Sequence, residues 1–288
     1  MIIDIDKNAG FCFGVDDAIK IAEKELSATN HLYCLGDIVH NDVEVKRLEN
    51  NGVEMIDHHK FSLLKNQKVL IRAHGESPEI YRLAKENNIS IVDATCPIVF
   101  KLQERVKKAC KEGRVEEQIV IFGQVGHAEA VGLTGQIDNK AIIIESVADL
   151  SKIKIEKPIT IFSQTTKSNI NYLEIVSILE DKIKESDNKH ELRFNKTVCG
   201  QVANRDKDLK EFARQYDLLI FVSGKKSSNG KMLFNVCETA NKMSFKVSDV
   251  SEIKKDWFTN IKSIGISGAT STPLNQLETV KSFIESIL

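Results

Sequence analysis

Three cysteines stand where a thiolate could act. Cys12 comes just before VDDAIKIAEKEL, Cys96 before VFKLQERVKKAC and Cys199 before NRDKDLKEFARQY. Apolar residues then recur at spacings of three and four, which predicts a helix after each cysteine. Pro97 suits a first helical turn, where a missing N–H costs nothing. A thiolate at a helix N-terminus is favoured by the dipole and by free N–H groups. Three such thiolates could hold zinc and leave a fourth position open for water. They could equally hold three irons of a 4Fe–4S cluster and leave one iron open to a substrate oxygen. The plainer alternative is a small buried apolar group. That reading is kept for Cys34, in a strand-like run, and for Cys110 and Cys237, on apolar helix faces. There is no C-x-x-C pair, so the usual zinc-ribbon and thioredoxin signatures are missing.

Polar loops offer a second chemistry. His40-Asn41, His74-Gly75, His127, Ser227-Ser228-Asn229 and Ser271-Thr272 supply imidazole, hydroxyl, amide and backbone donors. Such groups bind phosphate without needing lysine or arginine. His31, His58, His59 and His190 read as surface residues. Lys225, Lys226 and Arg72 either add long-range attraction or form a solvated face. Glu129, two residues after His127, could deliver protons beside a metal and an anion, or be a surface glutamate. Thr165 could relay a proton, or cap the helix predicted near Asn169. Gly126 and Gly132 frame the loop that carries His127 and Glu129 as a turn.

Short apolar runs must position these groups. They fall at 31–36, 68–72, 89–93, 118–123, 141–144, 158–162, 218–223, 244–247 and 263–267, between helical patterns. This alternation predicts an α/β fold with mostly parallel sheets. One order of features occurs three times. A cysteine opens a helix; a strand then ends in a polar loop (35–41, 122–132, 222–231); a later strand ends in another (72–78, 163–169, 267–273). From cysteine to first-loop residue, the spacings are 28, 31 and 28 (His40, His127, Ser227). To the second-loop residue they are 62, 69 and 72 (His74, Thr165, Ser271). The expectation is three similar small α/β domains, 1–95, 96–196 and 197–288, the last with a C-terminal helix. They would pack pseudo-threefold around a central metal, with the loops at the carboxyl edges where open sheets bind ligands.

A chain of 288 residues with 42% hydrophobic and 28% charged residues has room for two or three domains. Its net charge of −1 argues against a nucleic-acid surface or a polybasic membrane anchor. The N-terminus carries no basic region followed by a long apolar one, and no stretch approaches eighteen apolar residues. A cytoplasmic protein, with no nucleic-acid or membrane partner, is expected.

With these residues assembled, the chain resembles the 4-hydroxy-3-methylbut-2-enyl diphosphate reductase family of the non-mevalonate isoprenoid pathway, over nearly its whole length. The matching segments are GFCFGVDDAI (10–19), IVHN (38–41), RAHG (72–75), DATCPIV (93–99), GHAEAVG (126–132), QTT (164–166), TVC (197–199) with NR (204–205), KKSSN (225–229) and ATSTP (269–273). The resemblance implies a 4Fe–4S cluster held by Cys12, Cys96 and Cys199, whose unique iron binds the substrate's hydroxyl oxygen. It implies removal of that oxygen as water with two electrons and two protons, through an allyl-type intermediate. The products are isopentenyl and dimethylallyl diphosphate. It implies a diphosphate pocket of His40, His74, His127, Ser227, Ser228, Asn229 and Ser271. Glu129 matches the proton-delivering glutamate, and Thr165 a threonine that contacts the substrate hydroxyl. A ferredoxin or flavodoxin would supply the electrons. The chain departs from the family pattern at Ala128, where proline is usual, at Phe100, where threonine is common, and in Gly200-Gln201-Val202-Ala203. The rival readings are a 4Fe–4S hydro-lyase on an anionic small molecule, a non-enzymatic cluster-based redox sensor and a mononuclear zinc hydrolase.

Overall fold

Several apolar runs are buried at every position, as strands covered on both faces are. LLIFV at 218–222 and ITIFS at 159–163 are examples in the computed structural model, which describes residues 1–186 and 191–288. His190 lies outside the described residues. The chain opens with β1 (Ile2–Ile5), α1 (Phe13–Thr29), β2 (Leu32–Leu35), α2 (Asp42–Asn50) and β3 (Val53–Ile56). It continues with α3 (His58–Leu63), β4 (Lys68–Ile71), α4 (Pro78–Glu86), β5 (Ser90–Asp93), α5 (Pro97–Lys111), β6 (Gln118–Phe122), α6 (Ala128–Gly135) and β7 (Ile142–Ile144). Next come β8 (Ile159–Ser163), α7 (Asn169–Glu185), β9 (Leu192–Phe194) and α8 (Gly200–Ala213). It closes with β10 (Leu218–Val222), α9 (Ser228–Ala240), β11 (Ser244–Val247), β12 (Ser263–Gly268) and α10 (Leu274–Ile287).

These elements make three small parallel-sheet α/β domains, as the alternation predicts. One sheet has the order β1-β12-β10-β11 and another β7-β6-β8-β9. In the remaining domain β2 pairs β3 and β4 pairs β5. By contacts the chain divides into two compact units, residues 1–56 with 200–288, and residues 57–199. The first unit's core packs Leu218, Ile220, Ile264 and Ile266 of the sheet against Leu277, Val280 and Ile284 of α10. The second packs Val120, Ile159 and Ile161 against Tyr172, Ile175 and Leu179 of α7.

β1, β3 and β9 did not stand out in the sequence. Their segments, IIDI, VEMI and LRF, are short, polar at alternate or terminal positions and partly exposed. Yet β1 and β9 have defined partners, β12 and β8, and β5 pairs β4 in the same way. Each of these three strands leads into one of the cysteines, so the edge strand sets where the thiol begins its helix.

Candidate active site

The three cysteines occupy one backbone environment, met three times. Cys12 is the N-cap of α1 and Cys96 of α5, and Cys199 directly precedes α8. Each donates its N–H to a carbonyl two residues past the end of a strand: Cys12 to Thr270 (3.0 Å), Cys96 to Ala73 (3.0 Å), Cys199 to Thr165 (2.9 Å). All three are half-buried and none of the six cysteines is in a disulfide. Neither Cys12 nor Cys96 spends its side chain on capping its helix. A cysteine at the start of a helix is a ligand type that suits zinc or an iron–sulfur cluster, and this chain has three.

In the unit formed by residues 57–199, the loop after β6 ends at His127, the N-cap of α6. Its Nδ1 accepts from Glu129 N (3.2 Å) and lies 3.2 Å from Gln164 Nε2. With Nδ1 accepting, the neutral ring carries its proton on Nε2. Gln164, fully buried, also accepts from Gln124 N (3.0 Å) and donates to Thr166 Oγ1 (2.9 Å), which sets its amide. His74 stands edge-on to His127, with ring centroids 5.3 Å apart. Gly75 beside it has φ +68°, and a Cβ there would lie 2.5 Å from Gln103 Nε2.

Glu129 follows in the first turn of α6 and is 1% exposed. Thr165 N donates to its Oε1 (2.7 Å) and Thr165 Oγ1 to its Oε2 (2.8 Å). Burial pushes the carboxyl's pKa up to about 7; the two Thr165 bonds favour the charged form and only partly oppose this. A buried carboxyl that titrates near neutrality suits proton delivery. Thr165 thus holds the acid with its N–H and hydroxyl, and the Cys199 N–H with its carbonyl. Thr197 binds both Ser163 N and Ser163 O (2.7 Å each), tying the approach to Cys199 to the end of β8.

In the unit formed by residues 1–56 and 200–288, Asn41 is the N-cap of α2 and Ser227 the N-cap of α9. Asn41 Oδ1 caps Val43 N and Glu44 N. Its Nδ2 donates to Ser271 O (3.1 Å) and Gln276 Oε1 (2.8 Å). Every polar atom of its amide is used, so Asn41 holds the His40 loop against the Ser271 loop. Gly224 lets the loop after β10 press on the same place: a Cβ there would lie 2.2 Å from His40 O. Ser227 Oγ accepts from Gly230 N (2.9 Å) and lies 3.3 Å from Ser271 Oγ. Ser227, Ser228 and Asn229 therefore crowd the first turn of a thirteen-residue helix, where N–H groups and the dipole favour an anion. Asn229 Oδ1 accepts from Thr270 N (3.0 Å) and Thr270 Oγ1 (2.8 Å).

Residues 3–285 match the LytB protein family. The chain belongs to that family. It is 48% identical to the 4-hydroxy-3-methylbut-2-enyl diphosphate reductase of Parabacteroides distasonis over 279 residues, 96% of this chain and 95% of the relative. It is also 48% identical to the enzyme of the same name from Bacteroides thetaiotaomicron, over 99% of this chain and 98% of that one. Among solved structures it superposes on the E-1-hydroxy-2-methyl-but-2-enyl-4-diphosphate reductase from Plasmodium falciparum with a TM-score of 0.86. That pair is 28% identical, over 96% of this chain and 86% of the other. A structure of (E)-4-hydroxy-3-methyl-but-2-enyl diphosphate reductase, the terminal enzyme of the non-mevalonate pathway, gives a TM-score of 0.71. It is 31% identical and covers 99% of this chain and 100% of that one.

Within this LytB chain some sequence readings need correction. Glu129 is no surface glutamate: α6 folds it inward against the loop after β8. Thr165 is no helix cap; Ser168 caps α7 through Asn171 N (3.3 Å). Arg72 is buried rather than solvated, whereas Lys225 and Lys226 are exposed and pair with Glu252 (3.2 Å) and Asp37 (3.6 Å). Cys34 and Cys237 are buried as read, but Cys110 is exposed at the end of α5. Gln164 and Thr270 escaped notice although both lie in matched segments. No periodicity marks a residue whose value is one contact with a distant loop. The buried trio Asp6, Arg205 and Ser267 escaped in the same way. Arg205 donates to Asp6 and to Ser267 Oγ (2.7 Å), anchoring α8 to the ends of β1 and β12. Among the described residues no helix is long and apolar enough to cross a membrane.

Proposed function

We propose that this chain converts 4-hydroxy-3-methylbut-2-enyl diphosphate to isopentenyl and dimethylallyl diphosphate. The hydroxyl leaves as water at the cost of two electrons and two protons, and a C–H bond replaces the C–O bond. The observation that carries the reading is the buried Glu129 carboxyl on Thr165, in a chain of this family. Cys12, Cys96 and Cys199 would hold a 4Fe–4S cluster, for which three thiolates at helix starts are a fitting donor set. When bound, such a cluster supplies electrons one at a time and a Lewis-acidic iron for the hydroxyl oxygen.

The chain's own residues govern the protons and the anion. Protonated Glu129 donates from a carboxyl oxygen to Thr165 Oγ1, whose own proton can then pass to the departing oxygen. Ionised Glu129 accepts from the same hydroxyl, so one short bond serves both states. His40, His74, His127, Ser227, Ser228, Asn229 and Ser271 bind the diphosphate. They are imidazole, hydroxyl and amide groups aimed by caps and glycines, with no lysine or arginine among them, so the negative charge of the substrate would help to keep Glu129 protonated. The diphosphate contributes remote binding energy that holds the allylic end in place. Electrons come from a one-electron carrier protein, a ferredoxin or flavodoxin.

The test is anaerobic. Cluster-reconstituted protein is mixed with reduced viologen dye and substrate, and dye oxidation is followed against product. Two dye electrons per product, lost in Cys96→Ser, are expected. A protein that contains iron and sulfide, turns over a related diphosphate and consumes no dye would be a hydro-lyase. One that binds the diphosphate with no turnover would be a sensor. Either result overturns the reading.

A further inference from the structure

We propose that Thr270 is a positioning residue: its hydroxyl sets the Asn229 amide toward an anionic oxygen of the substrate. The inference rests on the reading of Asn229 as a diphosphate ligand. Both donors on Asn229 Oδ1 come from Thr270, its N–H at 3.0 Å and its hydroxyl at 2.8 Å. An amide whose oxygen is held twice cannot turn over, so its NH2 group has one direction left. That Nδ2 is buried and has no partner among the described residues. Asn229 as a whole is 4% exposed. A buried donor needs an acceptor, and the described residues offer none. The first turn of α9 is where an anion would supply it.

The same backbone place occurs twice more, which tests whether the fold itself needs a threonine there. In each domain it is the residue two past a strand end whose carbonyl takes a cysteine N–H. Thr165 fills it after β8, and its hydroxyl holds Glu129, second residue of α6. Thr270 fills it after β12, and its hydroxyl holds Asn229, second residue of α9. Ala73 fills it after β4, and the second residue of α2 is Val43. The alanine still receives the Cys96 N–H at 3.0 Å. The carbonyl is therefore the structural part of this position, and the hydroxyl is an addition found where the helix presents a polar side chain.

Thr270→Val keeps the shape and the carbonyl and removes the hydroxyl. In the cluster-loaded enzyme it should weaken inorganic pyrophosphate binding, measured by calorimetry, by about three- to tenfold, the value of one net hydrogen bond. KM should rise by a similar factor while kcat moves by less than about twofold and the cluster's visible spectrum stays unchanged. Thr270→Ser should restore both. In an Asn229→Ala background Thr270→Val should add nothing further. If Thr270→Val fails to fold, Thr270→Ala carries the same test, since alanine already occupies the matching place in the first domain. Unchanged pyrophosphate binding in the Thr270 variant, with weakened binding in Asn229→Ala, would overturn the positioning role alone. Unchanged binding in Asn229→Ala would overturn it together with the reading of Asn229.

Discussion

Glu129 on Thr165 and Asn229 on Thr270 are the same construction with different chemistry. Each is the second residue of a helix that starts in a strand-end loop, and each takes the N–H and hydroxyl of one threonine. Both side chains are buried, at 1% and 4% exposure. A carboxyl in this frame becomes titratable near neutrality because burial disfavours its charge. An amide in the same frame has no charge to lose and can only orient. One backbone arrangement thus holds a carboxyl that titrates near neutrality in one unit and a fixed amide in the other. The chemical difference lies in exchanging a carboxyl for an amide on side chains one methylene apart in length.

The most severe way to break the comparison is to turn the first pair into the second. Glu129→Gln should fold, because an amide already fits such a frame at Asn229. It should lower kcat by about 10²–10⁴-fold, the usual contribution of a positioned acid, in the dye assay with cluster content unchanged. The same variant tests the burial of the acid. The folded pKa of Glu129 is raised from 4.5 to about 7. The folded state therefore holds a proton that the unfolded state has lost between those values. Its contribution to stability is full below about pH 4.5 and is lost as pH rises through about 7. The loss is on the order of 3 kcal/mol. Urea midpoints from pH 5 to pH 8 should show this slope in the parent and lack it in Glu129→Gln.

The reverse exchange, Asn229→Asp, puts a carboxyl where we propose that the diphosphate binds. Two negative groups then face each other, and the aspartate has no NH2 to offer. Pyrophosphate affinity should fall by about ten- to a hundredfold and recover partly at low pH, read by calorimetry. The smallest expected effect concerns the loop under Glu129. Ala128 is the first residue of α6, where the N–H has no use in the helix, and His127 before it is extended, with ψ 138°. Ala128→Pro should therefore raise stability by about 0.4–1 kcal/mol. It should leave the Glu129–Thr165 bond intact, visible as an unchanged pH profile and a slightly higher melting temperature.

What could be read from the residues was local. LLIFV and ITIFS announce buried strands because a run of large apolar residues has few other uses. IIDI and LRF do not, since edge strands need only one partner and tolerate polar positions. Cys96 before proline marks a helix start. Cys110 misled, because it sits at α5's C-terminal end, past the buried Leu102 and Val106. The polar loops were legible as loops, and their order along the chain showed the threefold repetition.

By itself the sequence determined the main strands, the polar loops that follow them and the three cysteines at helix starts, all set by neighbours within a turn or two. Only the tertiary structure decided that Glu129 is buried and meets Thr165 thirty-six residues away, and that Asn229 meets Thr270 forty-one residues away. Burial and hydrogen-bond partnership depend on which distant loops share a sheet edge. A carboxyl's pKa depends on that burial, and no spacing along the chain encodes it.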